Sequence, residues 1–402
     1  MRLFPSAASR ITFADACTAL TQVGSPRVQS GFVSDITGCL NMTEGVALMS
    51  LMRNTYVVMA AIMRQHFNSA EVILPRYCCP SFIHGITAAG IAYRYCDLDT
   101  ATLAMSPGHI EAVRTNQSTA VLVPNLFGLC ADMSSLAQYC KANRLLLIDA
   151  ADYTFGGVFA GRPLGSFGDF AILNFQEGKA LPIGGGMALG RTAGSLRLDE
   201  HTTTDASSLV AFARTLAYLF LIRPLPYGLF SRGLKILGVQ KKKFSMEDTI
   251  RATKQEFDFT VDQTALWQGI SKYQSALGRT LLSSLNFQQA SRWTNALVIE
   301  QELKGLPDID LVPRHPNLDQ CHYIRYPILV RSGRRDDLCA QLIEAGYEAS
   351  PMYVEHGMQI DSTVFPGAAR ICDELLTLPC HPFMDRDDLE EMCLIIRNHR
   401  RA

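Results

Sequence analysis

Asp149 and Lys179 are the two side chains of this 402-residue chain whose surroundings single them out for chemistry. Asp149 follows the apolar run Leu145-Leu146-Leu147-Ile148, which reads as a buried strand. Ala150, Ala151 and a second acid, Asp152, come next, and Gly156-Gly157 and Gly165 then turn the chain. A second apolar run, Phe170-Ala171-Ile172-Leu173, leads through Asn174 to Lys179. Gly184-Gly185-Gly186 opens another short strand. An acid and a lysine therefore sit just past the ends of two buried strands, with glycines where backbone must turn or come close to something. Ligand sites in open α/β sheets form at such carboxyl ends.

That pairing suits pyridoxal phosphate, which needs a lysine for its Schiff base and an acid to keep its pyridine nitrogen protonated. A buried Asp–Lys ion pair, or a lysine exposed on a loop, is the competing structural reading of the same pattern. In order and spacing, four stretches resemble the motifs of the DegT/StrS family of sugar aminotransferases. They are Asp149-Ala150-Ala151-Asp152, the turn from Gly161 to Asp169, Leu173-Asn174-Phe175 through Lys179, and Gly184 to Gly186. Leu376-Thr377-Leu378-Pro379-Cys380-His381-Pro382 is close to a later signature of the same family, and His381 reads as structural there. Weaker resemblance covers most of the chain. It implies an α/β protein of fold type I, with a mostly parallel sheet in a large domain and a smaller C-terminal α/β domain.

The resemblance also implies roles. Lys179 would carry the Schiff base and move the proton, and Asp149 would pair with the pyridinium nitrogen. Asp152 would lie near the ring, Asn174 would donate to the cofactor phosphate, and backbone at Glu44 and Gly45 would add donors at a helix start. Cys79 stands where the family usually stacks an aromatic residue on the ring, with Tyr77 two positions away as a substitute. Phe257 to Val261 aligns with a motif that reaches a neighbouring subunit's phosphate, with Asp258 in place of its Asn. The implied reaction moves an amino group from glutamate to a keto sugar nucleotide, in surface-polysaccharide or secondary-metabolite sugar biosynthesis, within a homodimer. Glu44, Cys79 and Asp258 keep open an alternative, a diverged non-catalytic homologue acting as a binding or regulatory partner.

Bulk properties narrow the field. Formal net charge is -1, so nothing in the overall balance favours nucleic acid. The 12 cysteines show no metal-binding spacing and read as reduced thiols, mostly small buried hydrophobes, in a cytoplasmic protein without a secretory signal.

The supporting elements follow from periodicity. Residues 1–40 read as loops with a short strand at Phe32-Val33. Thr43 caps a predicted helix from Val46 to Arg64. Strands are expected at Val72–Pro75, Gly90–Cys96 and Thr119–Pro124, alternating with helices from Pro80 and from Met133. One long helix is expected from Gln268 to about Lys304, then a strand at His322–Val330, a helix at Arg335–Ala345, a strand from Gly346 and a final helix from Asp385 to Asn398. Residues 1–265 form the expected large domain, with a helical insertion at about 195–255. Residues 266–402 supply the connecting helix and the small domain. Within the insertion Leu209 to Ile222 is nearly all apolar, Pro224 and Pro226 break it, and Lys241-Lys242-Lys243 follows. The favoured reading is a helical insertion packed on the large domain or a partner subunit. A membrane-surface or anionic-substrate patch is the minority reading.

Overall fold

The computed structural model describes residues 2–65, 70–196, 207–236, 268–320, 323–331, 333–353 and 360–399, without the side chains of 233–236. Asp258, His322 and the run Lys241–Lys243 lie outside the described residues.

The chain opens with helices α1 (Phe13–Gln22) and α2 (Val28–Leu40), then strand β1 (Glu44–Leu48) and helix α3 (Leu51–Gln65). Alternation follows: β2 (Glu71–Pro75), α4 (Pro80–Ala88), β3 (Ala92–Cys96), α5 (Pro107–Glu111), β4 (Ser118–Pro124), α6 (Met133–Ala142) and β5 (Leu146–Ala150). The short strands β6 (Val158–Phe159) and β7 (Arg162–Pro163) precede β8 (Phe170–Asn174) and β9 (Gly186–Gly190). Helices α7 (Ser208–Leu221) and α8 (Pro224–Ile236) come next. Then come α9 (Lys272–Leu282), α10 (Leu285–Leu303), β10 (Ile309–Leu311), β11 (Leu318–Gln320) and β12 (Tyr326–Val330). The chain closes with α11 (Arg335–Ala345), α12 (Pro366–Glu374), β13 (Leu375–Leu378) and α13 (Arg386–Asn398).

The main sheet has seven strands in the order β1-β9-β8-β5-β4-β2-β3. Strands β3, β2, β4, β5 and β8 pair in parallel, and β9 runs antiparallel to both its neighbours. Every residue of β2, β8 and β9 is buried. Such strands are covered on both faces, which is why they read as continuous apolar runs rather than alternating ones. Register aligns the ends that matter. Asp149 of β5 lies between Val123 of β4 and Ala171 of β8, and Asn174 at the end of β8 pairs with Gly186. A second sheet, β10-β12-β13, carries the C-terminal part, with α13 packed on α10 and α11. The first residues return to that part: the Phe4 ring stacks on Tyr347 with centroids 5.5 Å apart.

Four expectations are corrected. Residues 28–40 are helical and bury Phe32 and Ile36, so there is no strand at Phe32-Val33. Residues 44–48 are a strand rather than the start of a helix, because their backbone pairs with Gly186–Gly190; Thr43 donates to the Gly190 and Arg191 carbonyls instead of capping. Tertiary pairing overrides local helix preference there. The single helix expected from Gln268 to Lys304 is two, α9 and α10, broken at Ser283-Ser284. Both serine hydroxyls bond back to carbonyls, of Thr280 and Leu281, a local alternative that weakens a helix interior. The strand expected from Gly346 reduces to isolated bridges, Phe4 with Tyr347 and Ser350 with Thr377.

Helices α3 and α4 meet at Gly85, where an added Cβ would lie 2.6 Å from the Thr55 Cβ and 2.7 Å from the Met52 carbonyl oxygen. Gly85→Ala should therefore destabilise the protein by about 1–3 kcal/mol in urea melts. Gly38 of α2 has nothing within 4 Å of its Cβ position, so Gly38→Ala should stabilise by about 0.5–1 kcal/mol. Shifts of the same sign would contradict this packing.

Candidate active site

Asp149 is fully buried at the end of β5. Its Oδ2 accepts the backbone N–H groups of Gly165 at 2.7 Å and Phe167 at 3.2 Å, and its Oδ1 accepts the Asn125 side-chain amide at 3.3 Å. Asn125, on the turn after β4, is held in turn by the Ala131 N–H on its own Oδ1 at 3.0 Å. Burial pushes the Asp149 carboxyl up to about 6, against the opposing pull of the two backbone donors and of Arg162 and Arg191. A cationic N–H beside it would offset that cost of burial and restore the carboxylate.

Lys179 lies on the turn between β8 and β9 and is 1% exposed. Its Nζ is 4.0 Å from the Asp152 carboxylate, itself buried, and sits over the Tyr153 ring 2.9 Å from the centroid. The two acids at and after the end of β5 therefore divide: Asp149 is fixed by neutral donors, and Asp152 faces the lysine. Asn174 closes β8, and its Oδ1 accepts the Gln176 N–H at 3.0 Å, which shapes the start of the lysine turn and leaves its amide N–H groups as donors.

The turn is clamped from outside the sheet. Arg292 of α10 is fully buried, and its Nη2 lies 3.0 Å from the Gly178 carbonyl, 2.6 Å from the Ala8 carbonyl and 2.6 Å from Ser9 Oγ. The Ser9 hydroxyl donates to the Lys179 carbonyl. Tyr218 of α7 joins them, donating from its hydroxyl to the Ser9 carbonyl at 2.7 Å and accepting the Ser9 N–H at 2.9 Å. Sequence reading missed this group, because a charged residue in a polar-looking helix reads as solvated until its burial is known.

Cys79 is buried at the start of α4, which Pro80 opens at its first turn. It lies beside Tyr353, whose other ionisable neighbours are Tyr153 and Asp152. Tyr77 stands near by, but its hydroxyl donates to the Met352 carbonyl at 2.6 Å and its ring leans on Tyr353 at 5.5 Å. The Tyr353 hydroxyl is 3.1 Å from that of Tyr153. Two tyrosines thus join Cys79 to Asp152 and Lys179. His381 is fully buried with Nε2 2.9 Å from the Pro5 carbonyl, and burial lowers it to about 3, so it is a neutral structural donor.

Glu44 and Gly45 correct an expectation. They lie on β1, not at a helix start. The Glu44 carboxylate accepts the N–H groups of Gly194 at 2.8 Å and Leu196 at 2.5 Å and the Ser195 hydroxyl at 2.6 Å, which turns it towards residues 194–196. Gly45 packs against Leu189, Met187 and Val33. One helix start beside the lysine turn is that of α3, at Ser50-Leu51. Asn54 in its first turn lies against Gly186, the partner of Asn174. Ser50 three residues before Arg53 was the available capping signal: its Oγ accepts the Arg53 N–H at 3.3 Å.

Comparison with known proteins follows the same outline. The profile of the DegT/DnrJ/EryC1/StrS aminotransferase family matches residues 33–195 and 243–397. A dTDP-4-dehydro-2,3,6-trideoxy-D-glucose 4-aminotransferase of Saccharopolyspora spinosa is 24% identical over 320 residues, 78% of this chain and 74% of that protein. An L-glutamine:2-deoxy-scyllo-inosose aminotransferase of Streptomyces fradiae is 30% identical over 143 residues, covering 35% of this chain and 33% of that protein. Among solved structures, the aminotransferase TlmJ of Streptoalloteichus hindustanus superposes with a TM-score of 0.74 at 19% identity, over 100% of this chain and 99% of that one. PseC of Helicobacter pylori, an aminotransferase of pseudoaminic acid biosynthesis, gives 0.75 at 14% identity over 100% of both chains.

Two outcomes test this geometry. A buried acid raised to about 6 favours the folded state below the ordinary carboxylate range, and that contribution is lost as pH rises through about 6. Urea melts of cofactor-free protein should show a loss of about 3 kcal/mol from this group between roughly pH 4 and pH 7, and Asp149→Asn should flatten that slope. Arg292→Met leaves two buried carbonyls and a hydroxyl without their donor. It should cost about 3 kcal/mol or more in the same melts, well beyond an exposed control such as Arg10→Met.

Proposed function

The chain belongs to the DegT/DnrJ/EryC1/StrS aminotransferase family and is a pyridoxal-phosphate-dependent sugar aminotransferase; from that premise we propose its substrates and the residues that carry the reaction. The amino group moves, in this reading, from glutamate to a keto sugar attached to a nucleotide. The enzyme works in the cytoplasm as a homodimer, with a large domain over residues 1–265 and a small one over 266–402. The activities of the relatives support the sugar substrate; one of them takes its amino group from L-glutamine, so both amino acids belong in the assay.

The observation that carries the reading is the pairing of a buried, hydrogen-bonded Asp149 with a buried Lys179 at adjacent strand ends. The residues fit the cofactor. Asp149 would take its ring nitrogen, because a cation there relieves the burial that raises the carboxyl. Lys179 would hold it through its amine, Asn174 and the α3 start offer N–H groups to its phosphate, and Cys79 lies beside the site. Bound pyridoxal phosphate supplies an electron sink for the carbon that carries the amino group.

The chain's own side chains then divide the work. Asp149, ionised, keeps the proton on the ring nitrogen. Lys179 Nζ would take the proton from the donor's amino-bearing carbon in one half of the transfer and, in the other half, give a proton to the keto-sugar carbon that receives the amino group, as a positioned general base and acid. The clamp by Arg292, Ser9 and Tyr218 fixes the backbone from which that amine projects. Asp152, 4.0 Å from Nζ, holds the amine on the Tyr153 side of the site. The enzyme names among the relatives support this reading and not the non-catalytic partner.

Purified protein with added pyridoxal phosphate should develop an absorption band that borohydride bleaches, with the cofactor adduct mapping to Lys179. Lys179→Ala should abolish both, and should lower transfer from glutamate or glutamine to keto-sugar nucleotides by at least about 100-fold. A band unchanged by loss of Lys179 would refute the assignment.

A further inference from the structure

Helix α7 is apolar on the side it turns to solvent as well as on the side it buries. Thr215 and Tyr218 face inward, while Leu209 is 76% and Phe220 67% exposed, with Ala213 and Leu216 on the same outward line. Helix α8 repeats the pattern: Tyr227 is buried, whereas Leu225 and Phe230 are exposed and Leu229 is 60% exposed. A helix that is hydrophobic all round does not normally face water. Phe13 of α1, 66% exposed, meets the same surface. It lines a groove of about 1150 Å³ with Leu216, Phe220 and Leu225, beside Arg10 and Arg223.

The charges on this stretch have one sign. From Ala206 to Met246 the sequence carries Arg214, Arg223, Arg232, Lys235 and Lys241 to Lys243, and no acid. Acids border the two helices: Asp388 is paired with Arg2 at 3.2 Å, Glu177 lines a pocket with Arg214, and Asp15 of α1 keeps its charge while accepting from the Thr12 N–H and hydroxyl at 2.8 and 2.7 Å. Two copies of this face set together would repel each other. An anionic bilayer supplies the opposite sign and an apolar layer beneath it.

The shape agrees. No single described helix is long and apolar enough to cross a membrane. Helix α7 and Pro224–Arg232 of α8 have that length and hydropathy only together, and they meet at 100°. So sharp an angle suits a pair lying in the interface better than a rod through it. We propose that this face docks on the surface of a bilayer containing anionic phospholipid, with the outward side chains of α7 and α8 inserted below the headgroups and the arginines at their level. The docking is independent of amino transfer. Through Tyr218 and Ser9 it would nonetheless set the lysine turn close to the bilayer.

Flotation of the full chain with vesicles tests this. Protein should float with phosphatidylcholine vesicles that contain phosphatidylglycerol, should stay down with phosphatidylcholine alone, and should be released by high salt. Arg214→Gln and Arg223→Gln should each weaken binding about fivefold. Phe220→Ser combined with Leu229→Ser should weaken it at least tenfold, with melting and amino transfer unchanged. In case that pair unfolds, Phe220→Trp provides a second readout, a blue shift of emission on adding anionic vesicles. The proposal falls if wild type stays down with anionic vesicles, if the serine pair floats as well as wild type, or if Phe220→Trp shows no shift. It falls equally if the serine pair alters the subunit count in light scattering, which would make the face a contact between copies, or if deleting residues 237–267 is what first permits flotation.

Discussion

A carboxyl group with no access to water fixes the geometry of the site. Asp149 can be held there because the loop after β7 wraps back to give it two N–H groups and Asn125 gives it a third. The wrap needs glycine. Gly165 adopts a φ of +93°, and its Cβ position lies 3.1 Å from Leu40 and 3.3 Å from Ala151, so a side chain is excluded by both backbone and space. Buried in this way the acid is costly to ionise on its own and becomes a strong partner for a buried cation, the property a pyridine nitrogen requires.

The lysine is placed by a different logic. Its turn belongs to the sheet, but the restraint on it comes from three distant segments: the N-terminal residues through Ser9, helix α7 through Tyr218 and helix α10 through Arg292. Gly178, at a φ of +83°, lets the turn press against Ala7. A buried guanidinium with carbonyl and hydroxyl acceptors is desolvated at a cost, and burial lowers Arg292 to about 10. It is tolerated because it ties together segments that would otherwise separate.

Helices α7 and α8 stand apart from this arrangement. The family profile stops at residue 195 and resumes at 243, and α7 and α8 fall in the interval. One side of α7 has been recruited to the lysine turn, while its other side carries the exposed apolar line. Site and surface are therefore two faces of one helix.

The sequence by itself determined the parallel core and the positions of Asp149 and Lys179, because strands buried on both faces leave continuous apolar runs and ligand groups fall at their carboxyl ends. It also located α11 and α13, whose starts and stops are local. Only the tertiary structure decided what Glu44 to Leu48 become, since their strand exists through pairing with Gly186 to Gly190, residues about 140 positions away by the logic of sheet formation rather than of local propensity. It alone placed Arg292, Ser9, Tyr218 and Tyr353, because burial and long-range hydrogen bonds leave no periodic trace in the residues that make them. The outward apolar face of α7 was in the sequence as hydrophobicity, but which side of the helix met water depended on what the fold packed against it.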